Sequence, residues 1–141
     1  MPDFCDEESG YIYIEFSIVF DNDYDVEQIS DLIGIKADDY MNKNKTRINP
    51  ITKESNPGYW SIKSNRFSDM DIEHPINDIM LKLENRLEDI KNISIKEDGE
   101  LFFDVVIYFA ENEVPIINLD KDFLKMVNYL DAEIRFDMYR I

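Results

Sequence analysis

The run from Tyr11 to Phe20, YIYIEFSIVF, constrains this chain more than any other stretch. Ile12, Ile14, Phe16, Ile18 and Phe20 fall at every second position, with Tyr11, Tyr13, Glu15, Ser17 and Val19 between them. Successive side chains of a strand point to opposite faces, so this period of two predicts a strand with one wholly apolar face. A second run repeats the device, with Leu101, Phe103, Val105, Ile107 and Phe109 on one side. Phe102, Val106 and Tyr108 make its other side apolar as well, which predicts an interior strand. Strands of this kind must be covered, so the rest of the chain has to supply helices.

It does so at three places. Asp25 with Gln28 three residues on is a capping-box arrangement, and Val26, Ile29, Leu32 and Ile33 form the apolar face of a short helix ended by Gly34. Ile76, Ile79, Met80, Leu83, Leu87 and Ile90 recur at helical spacing behind Pro75, with Asp71 or His74 as cap. Asp120 caps a third helix carrying Phe123, Leu124, Met126, Val127 and Leu130. Two more segments alternate as strands: Tyr59–Ser64, with Trp60 and Ile62 on one face, and Glu133–Arg140, with Ile134, Phe136 and Met138 inward. Ile93 and Ile95 predict a brief strand, and Asp98-Gly99 a two-residue hairpin. Residues 36–57 show no period and carry turn signals at Asn49-Pro50 and Asn56-Pro57-Gly58, so they read as a long loop.

The expected organisation is a disordered acidic tail over residues 1–10 and a single α+β domain over 11–141. The expected sheet is mostly antiparallel, with four to five strands and two to three helices packed on one face. A ferredoxin-like or split βαβ topology fits that order. The order strand, loop, helix, strand occurs twice, which suggests a weak internal repeat.

Charge and rare residues narrow the chemistry. Thirty-one Asp and Glu against 15 Lys and Arg give −16 at pH 7. Nucleic acid and anionic membranes repel such a surface, and cationic proteins attract it. Cys5 is the only cysteine, so no intrachain disulfide forms, and its neighbours Asp6, Glu7 and Glu8 disfavour a reactive thiolate. His74 is the only histidine, which excludes a His-rich zinc site. Asp21-Asn22-Asp23-Tyr24-Asp25 opens like a calcium loop, yet an EF-hand needs Gly and Glu where Val26 and Leu32 stand. Asp69, Asp71 and Glu73 beside His74 read as charge at a helix N-terminus. No Gly-rich phosphate loop is present. The expectation is therefore no cofactor, no metal and no enzymatic activity. The first residues lack the basic and apolar regions of a signal peptide, and the longest apolar run is about half a membrane span, so the expected location is the cytoplasm.

The segments IEFSIVF, VEQISDLIGI and YWSIKS, the helix before Leu83, and the closing LKMVNYLDAEIRFDMY occur in an order that resembles a family of small bacterial proteins, domain of unknown function 4279. The resemblance spans residues 11–140 and includes the pair Trp60-Ser61. It implies an α+β fold and a bacterial source, and it supplies no catalytic motif. Small acidic single-domain proteins of this kind often stand beside toxin genes as immunity proteins.

One asymmetry bears on function. Between Tyr40 and Ser68 lie Lys43, Lys45, Arg47, Lys53, Lys63 and Arg66 with the single acid Glu54, a net +5 that leaves −21 for the rest. The leading expectation is a non-enzymatic binding protein that neutralises a cationic protein partner, a toxin nuclease domain for example, as monomer or homodimer. Asp21, Asp23, Asp38, Asp39, Asp69, Asp71 and Glu73 are its candidate acidic contacts. The alternative is a small-molecule or anion-binding protein, or an enzyme, that uses the basic segment 43–66, with Lys45, Arg47 and Arg66 around a Trp60 platform.

Overall fold

The computed structural model describes residues 9–48 and 55–141, the side chains of residues 44–48 and 55 excepted. Cys5, Lys53, the Asn49-Pro50 turn and nearly all of the acidic tail lie outside the described residues. So do the side chains of Lys45 and Arg47. Gly10, the last residue assigned to the tail, is buried, and its N–H donates to Glu113 Oε1 at 2.8 Å.

The elements in chain order are β1 (Tyr11–Phe20), a 3-10 turn (Val26–Gln28) leading into α1 (Ile29–Ile33), β2 (Asp39–Met41), β3 (Asn44–Ile48), β4 (Ser55–Asn56), β5 (Gly58–Lys63), α2 (Glu73–Leu83), α3 (Leu87–Glu97), β6 (Glu100–Phe109), α4 (Lys121–Leu130) and β7 (Glu133–Arg140). β1 is the middle strand of a five-stranded sheet ordered β2-β5-β1-β6-β7, while β3 and β4 form a separate hairpin. All pairings in the large sheet are antiparallel except β6 with β7. The class is α+β and the sheet is mostly antiparallel.

The alternation in β1 is realised to the residue. Ile12, Ile14, Phe16, Ile18 and Phe20 are all fully buried, and Phe103, Val105 and Ile107 of β6 lie on the same face. Ile76, Ile79, Leu83, Ile90 and Phe123 cover that face from the helices. Trp60 on β5 joins them with no exposed surface, and its Nε1–H donates to Ser30 Oγ at 3.0 Å. Two caps behave as read: Asp25 accepts from Glu27 N and Asp120 from Phe123 N, whereas the cap position of α2 is Ile72, and Asp71, one residue before it, accepts from Glu73 N. Gly34 ends α1 with φ 74°, a conformation that glycine adopts without steric cost.

Other expectations give way to tertiary context. The single helix expected across Ile76–Ile90 is two, α2 and α3, parted at Arg86, whose φ of −125° is not helical. Ile93 and Ile95 belong to α3: Ile93 packs into the core one turn after Ile90, and Ile95 points to solvent. Asp98-Gly99 is no hairpin. Asp98 takes the left-handed conformation that terminates α3, and the N–H of Gly99 bonds back to Ser94 O. A Cβ on Gly99 would come within 2.7 Å of the Phe20 ring, so α3 and β1 meet closely there. Leu32 is 54% exposed, because α1 is too short to wrap its apolar stripe into the core. The span 36–57 contains β2, β3 and β4.

The topology also differs in detail from the expected one. In a split βαβ unit a strand separates the two parallel strands. Here β6 and β7 are direct neighbours joined through α4, so the unit is unsplit. The two halves of the suspected repeat likewise pair differently: β1 lies antiparallel to β5, whereas β6 lies parallel to β7. Phe136 and Met138, expected inward, do lie on the helix-covered face but are 41% and 50% exposed, because β7 is an edge strand.

Candidate functional site

The helices leave the second face of the sheet open. Register places Glu15, Ser17 and Val19 of β1 beside Tyr59, Ser61 and Lys63 of β5, with Asp104 of β6 and Arg135 of β7 following across the sheet. These residues, with Asp39 of β2, line a hollow of about 430 Å³. Asp104 is only 8% exposed and receives Arg135 as a fork, Nε to Oδ1 at 2.6 Å and Nη2 to Oδ2 at 3.0 Å. The same guanidinium lies 3.9 Å over the Phe102 ring. Burial pushes the Glu15 carboxyl above its ordinary range, against the opposing pull of Lys63 and the Ser61 hydroxyl. Tyr59 donates to Asp39 at 2.8 Å, and that bond raises the phenol's pKa. Further along, Tyr11, Tyr108 and Tyr139 stack in a row at 4.7 and 4.8 Å, with Arg66 4.5 Å above Tyr11. Among the described residues every charged group lining the hollow thus has an internal partner.

The end of the sheet where β1 finishes and β6 and β7 begin is different. Val19 pairs with Glu100, and Phe102 with Glu133, which fixes those strand ends side by side. Asn22 Nδ2 donates to Glu97 O at 2.7 Å and ties the loop after β1 to the end of α3. A cleft of about 650 Å³ opens there, lined by the apolar Ile95, Leu101, Phe102 and Leu130 and by the carboxylates of Asp98, Glu100, Asp131 and Glu133. Among the described residues Lys91 is the only basic one lining it, and its Nζ sits 4.2 Å over the Tyr129 ring. A second hollow of about 380 Å³ shares Asp98, Glu100 and Phe102 and adds Asp21 and the cation Arg135. The negative field of this end reaches Tyr24, whose phenol is raised first by burial and then by Glu97 and Asp25.

Asp98 and Asp131 hold an unfavourable position. Each is the C-cap of its helix, with φ 54°. A non-glycine side chain in that conformation is strained, and a carboxylate at a helix C-terminus faces the negative end of the macrodipole. Glycine, or a cation nearby, would serve stability better. Chemically, apolar side chains beside carboxylates suit a lysine or arginine side chain, whose stem packs while its head pairs.

The residues singled out from the sequence are scattered. Asp21 joins the acidic end, and Asp23 is in the same loop. Asp38 and Asp39 lie at the β2 edge, where Asp38 accepts from Lys63 N at 2.6 Å. Asp69, Asp71 and Glu73 stand at the opposite end, beside the Phe67–Ile12 bridge, about 30 Å from Asp21 along a ten-residue strand. There Asp69 pairs with His74 Nε2 at 2.8 Å, and the His74 ring stacks on Phe67. Among the described residues no group of three His, Cys, Asp or Glu is placed to hold a metal. Trp60 and Arg66 do not converge: the indole is in the core beneath the helices, and Arg66 stacks on tyrosines of the open face.

Glu100, Asp131 and Glu133 escaped the sequence reading because they border strands whose adjacency only the fold establishes. Asp98 escaped it because Asp-Gly reads as a hairpin. The signal that could have found them is an aspartate where a helix-ending glycine is preferred. Among the described residues no helix is long and apolar enough to cross a membrane. A family model described as Domain of unknown function (DUF4279) matches residues 11–140. No curated protein and no solved structure matches the chain.

Proposed function

The chain belongs to the DUF4279 family, and from that premise we propose that it is a non-enzymatic acidic binding protein that neutralises a cationic protein partner. In its specific form it is a bacterial immunity protein, acting in the cytoplasm against a toxin domain. The observation that carries this reading is the pair of helix-ending carboxylates, Asp98 and Asp131, held at strained positions lining the acidic cleft. Both positions work against helix stability, so their use is sought in what they present outward. The net charge of −16 supplies the long-range field, which would speed association with a basic partner and make the rate salt-sensitive. That charge also disfavours nucleic acid as the partner.

Association with the protein encoded beside this one tests the reading. A complex is expected at low salt, with an association rate that falls as salt is added. The paired change Asp98→Asn with Asp131→Asn should weaken the complex without unfolding the chain. Absence of a complex at low salt, or a rate indifferent to salt, would remove the proposal.

A further inference from the structure

The eight-residue strand β7 ends the sheet, and among the described residues no strand pairs with its outer side. The N–H of Ile141 donates to Phe109 O on β6. Backbone groups alternate in direction along a strand, so the odd-numbered residues of β7 bond inward. The N–H and C=O of Ile134, Phe136 and Met138 therefore face outward. An edge of this length with open ladder groups is a template for another strand.

We infer that this edge pairs with the β7 of a second copy of the chain, antiparallel about a two-fold axis at Phe136, so that two five-stranded sheets become one. Symmetry and side-chain facing leave few registers. Opposed residues must share a face, so each pairs with a residue of the same parity. With Phe136 opposite itself, Ile134 meets Met138, and Arg135 meets Asp137 on the open face. Moving the axis to Asp137 would set that carboxylate against its own twin, which like-charge repulsion disfavours.

Three properties support the register centred on Phe136. The outward-facing residues Ile134, Phe136 and Met138 fall at hydrogen-bonded pairs, so each exchanges both backbone bonds with its opposite. Arg135 and Asp137 fall at the intervening non-bonded pair, where side chains approach most closely, so the symmetry sets an opposite-charge pair there twice, with each Arg135 guanidinium also held by its own Asp104. The exposed apolar surface of Phe136 and Met138 lies on one side of the junction, where the second copy covers it. Leu124 of α4 is 44% exposed as well. The strand itself is neutral, with Glu133 and Asp137 against Arg135 and Arg140, in a chain that carries −16. Two such chains still repel at long range, so added salt should strengthen this pairing. A complex with a cationic partner would respond in the opposite way, and the inference does not depend on that complex.

Sedimentation of the full chain over a range of concentrations and salt provides the test. A species of twice 16.8 kDa is expected, its share rising with both. Met138→Pro removes an outward N–H and leaves the bonding to β6 intact, and Asp137→Arg places like charges across the axis. Each should raise the dimer's dissociation constant about tenfold or more while circular dichroism stays unchanged. In a Cys5→Ser background, Phe136→Cys should cross-link to its twin under mild oxidation, because Cα atoms in a hydrogen-bonded pair are about 5.5 Å apart. Asp137→Cys in the same background should not. A chain that stays monomeric at the highest concentration and salt overturns the inference. So does a dimer indifferent to M138P and D137R, or one that cross-links through position 137.

Discussion

The two ends of the central sheet hold carboxylates in opposite electrostatic settings. Where β1 begins, Asp71 accepts from the first turn of α2, and at the same end Asp120 accepts from Phe123 N at the start of α4. A negative group at a helix N-terminus satisfies free N–H groups and meets the positive end of the dipole. Where β1 finishes, Asp98 and Asp131 close α3 and α4 at their negative ends. The same residue type thus holds a helix together at one end and works against it at the other. The difference teaches that acid count says little about function. The acids worth suspecting are those that the local structure does not need.

Mutation can break or sharpen that contrast. The reference is the core shared by both ends: Trp60→Ala removes a fully buried indole and should cost about 3–5 kcal/mol in chemical denaturation, whichever end is probed. Asp120→Ala, at the end where acids stabilise, should cost about 1 kcal/mol through the lost cap. Asp131→Gly, at the other end, should raise the melting temperature, with a gain of up to about 1 kcal/mol, because it relieves both the positive φ and the repulsion. Equal losses from D120A and D131G would erase the distinction between the two ends.

The smallest effect is expected midway between them. Glu15 lies at neither helix end, and its carboxyl is raised by burial. A carboxyl that titrates higher in the fold than in the unfolded chain favours the fold fully below its unfolded value. That advantage is lost as pH rises through the folded value. Glu15→Gln should therefore be slightly more stable than the parent at neutral pH. The gain should vanish below the ordinary carboxylate range, as followed by denaturation across pH.

Legibility in the sequence tracks how local each determinant is. The β1 and β6 alternation, the Gly34 stop and the Asp25 and Asp120 caps were readable because a strand's period or a cap's hydrogen bond is set within a few residues. The break at Arg86 and the helical fate of Ile93 were not, since packing of Ile90 and Ile93 against the sheet decides them. Trp60 read equally well as core or as platform until the register of β5 against β1 fixed which face it occupies. The acidic cleft was the least legible feature, because Asp21, Asp98, Asp131 and their neighbours are far apart in the chain and meet only at strand ends.

By itself the sequence determined an α+β chain with one apolar sheet face, a heavily negative surface and the positions of its clearest caps. Those properties follow from the order of residues over short distances and from their total charge. Tertiary structure alone decided strand order, the parallel β6–β7 edge, and which carboxylates share a cleft. These depend on contacts between distant segments, where the free energy of burying side chains overrides local preference.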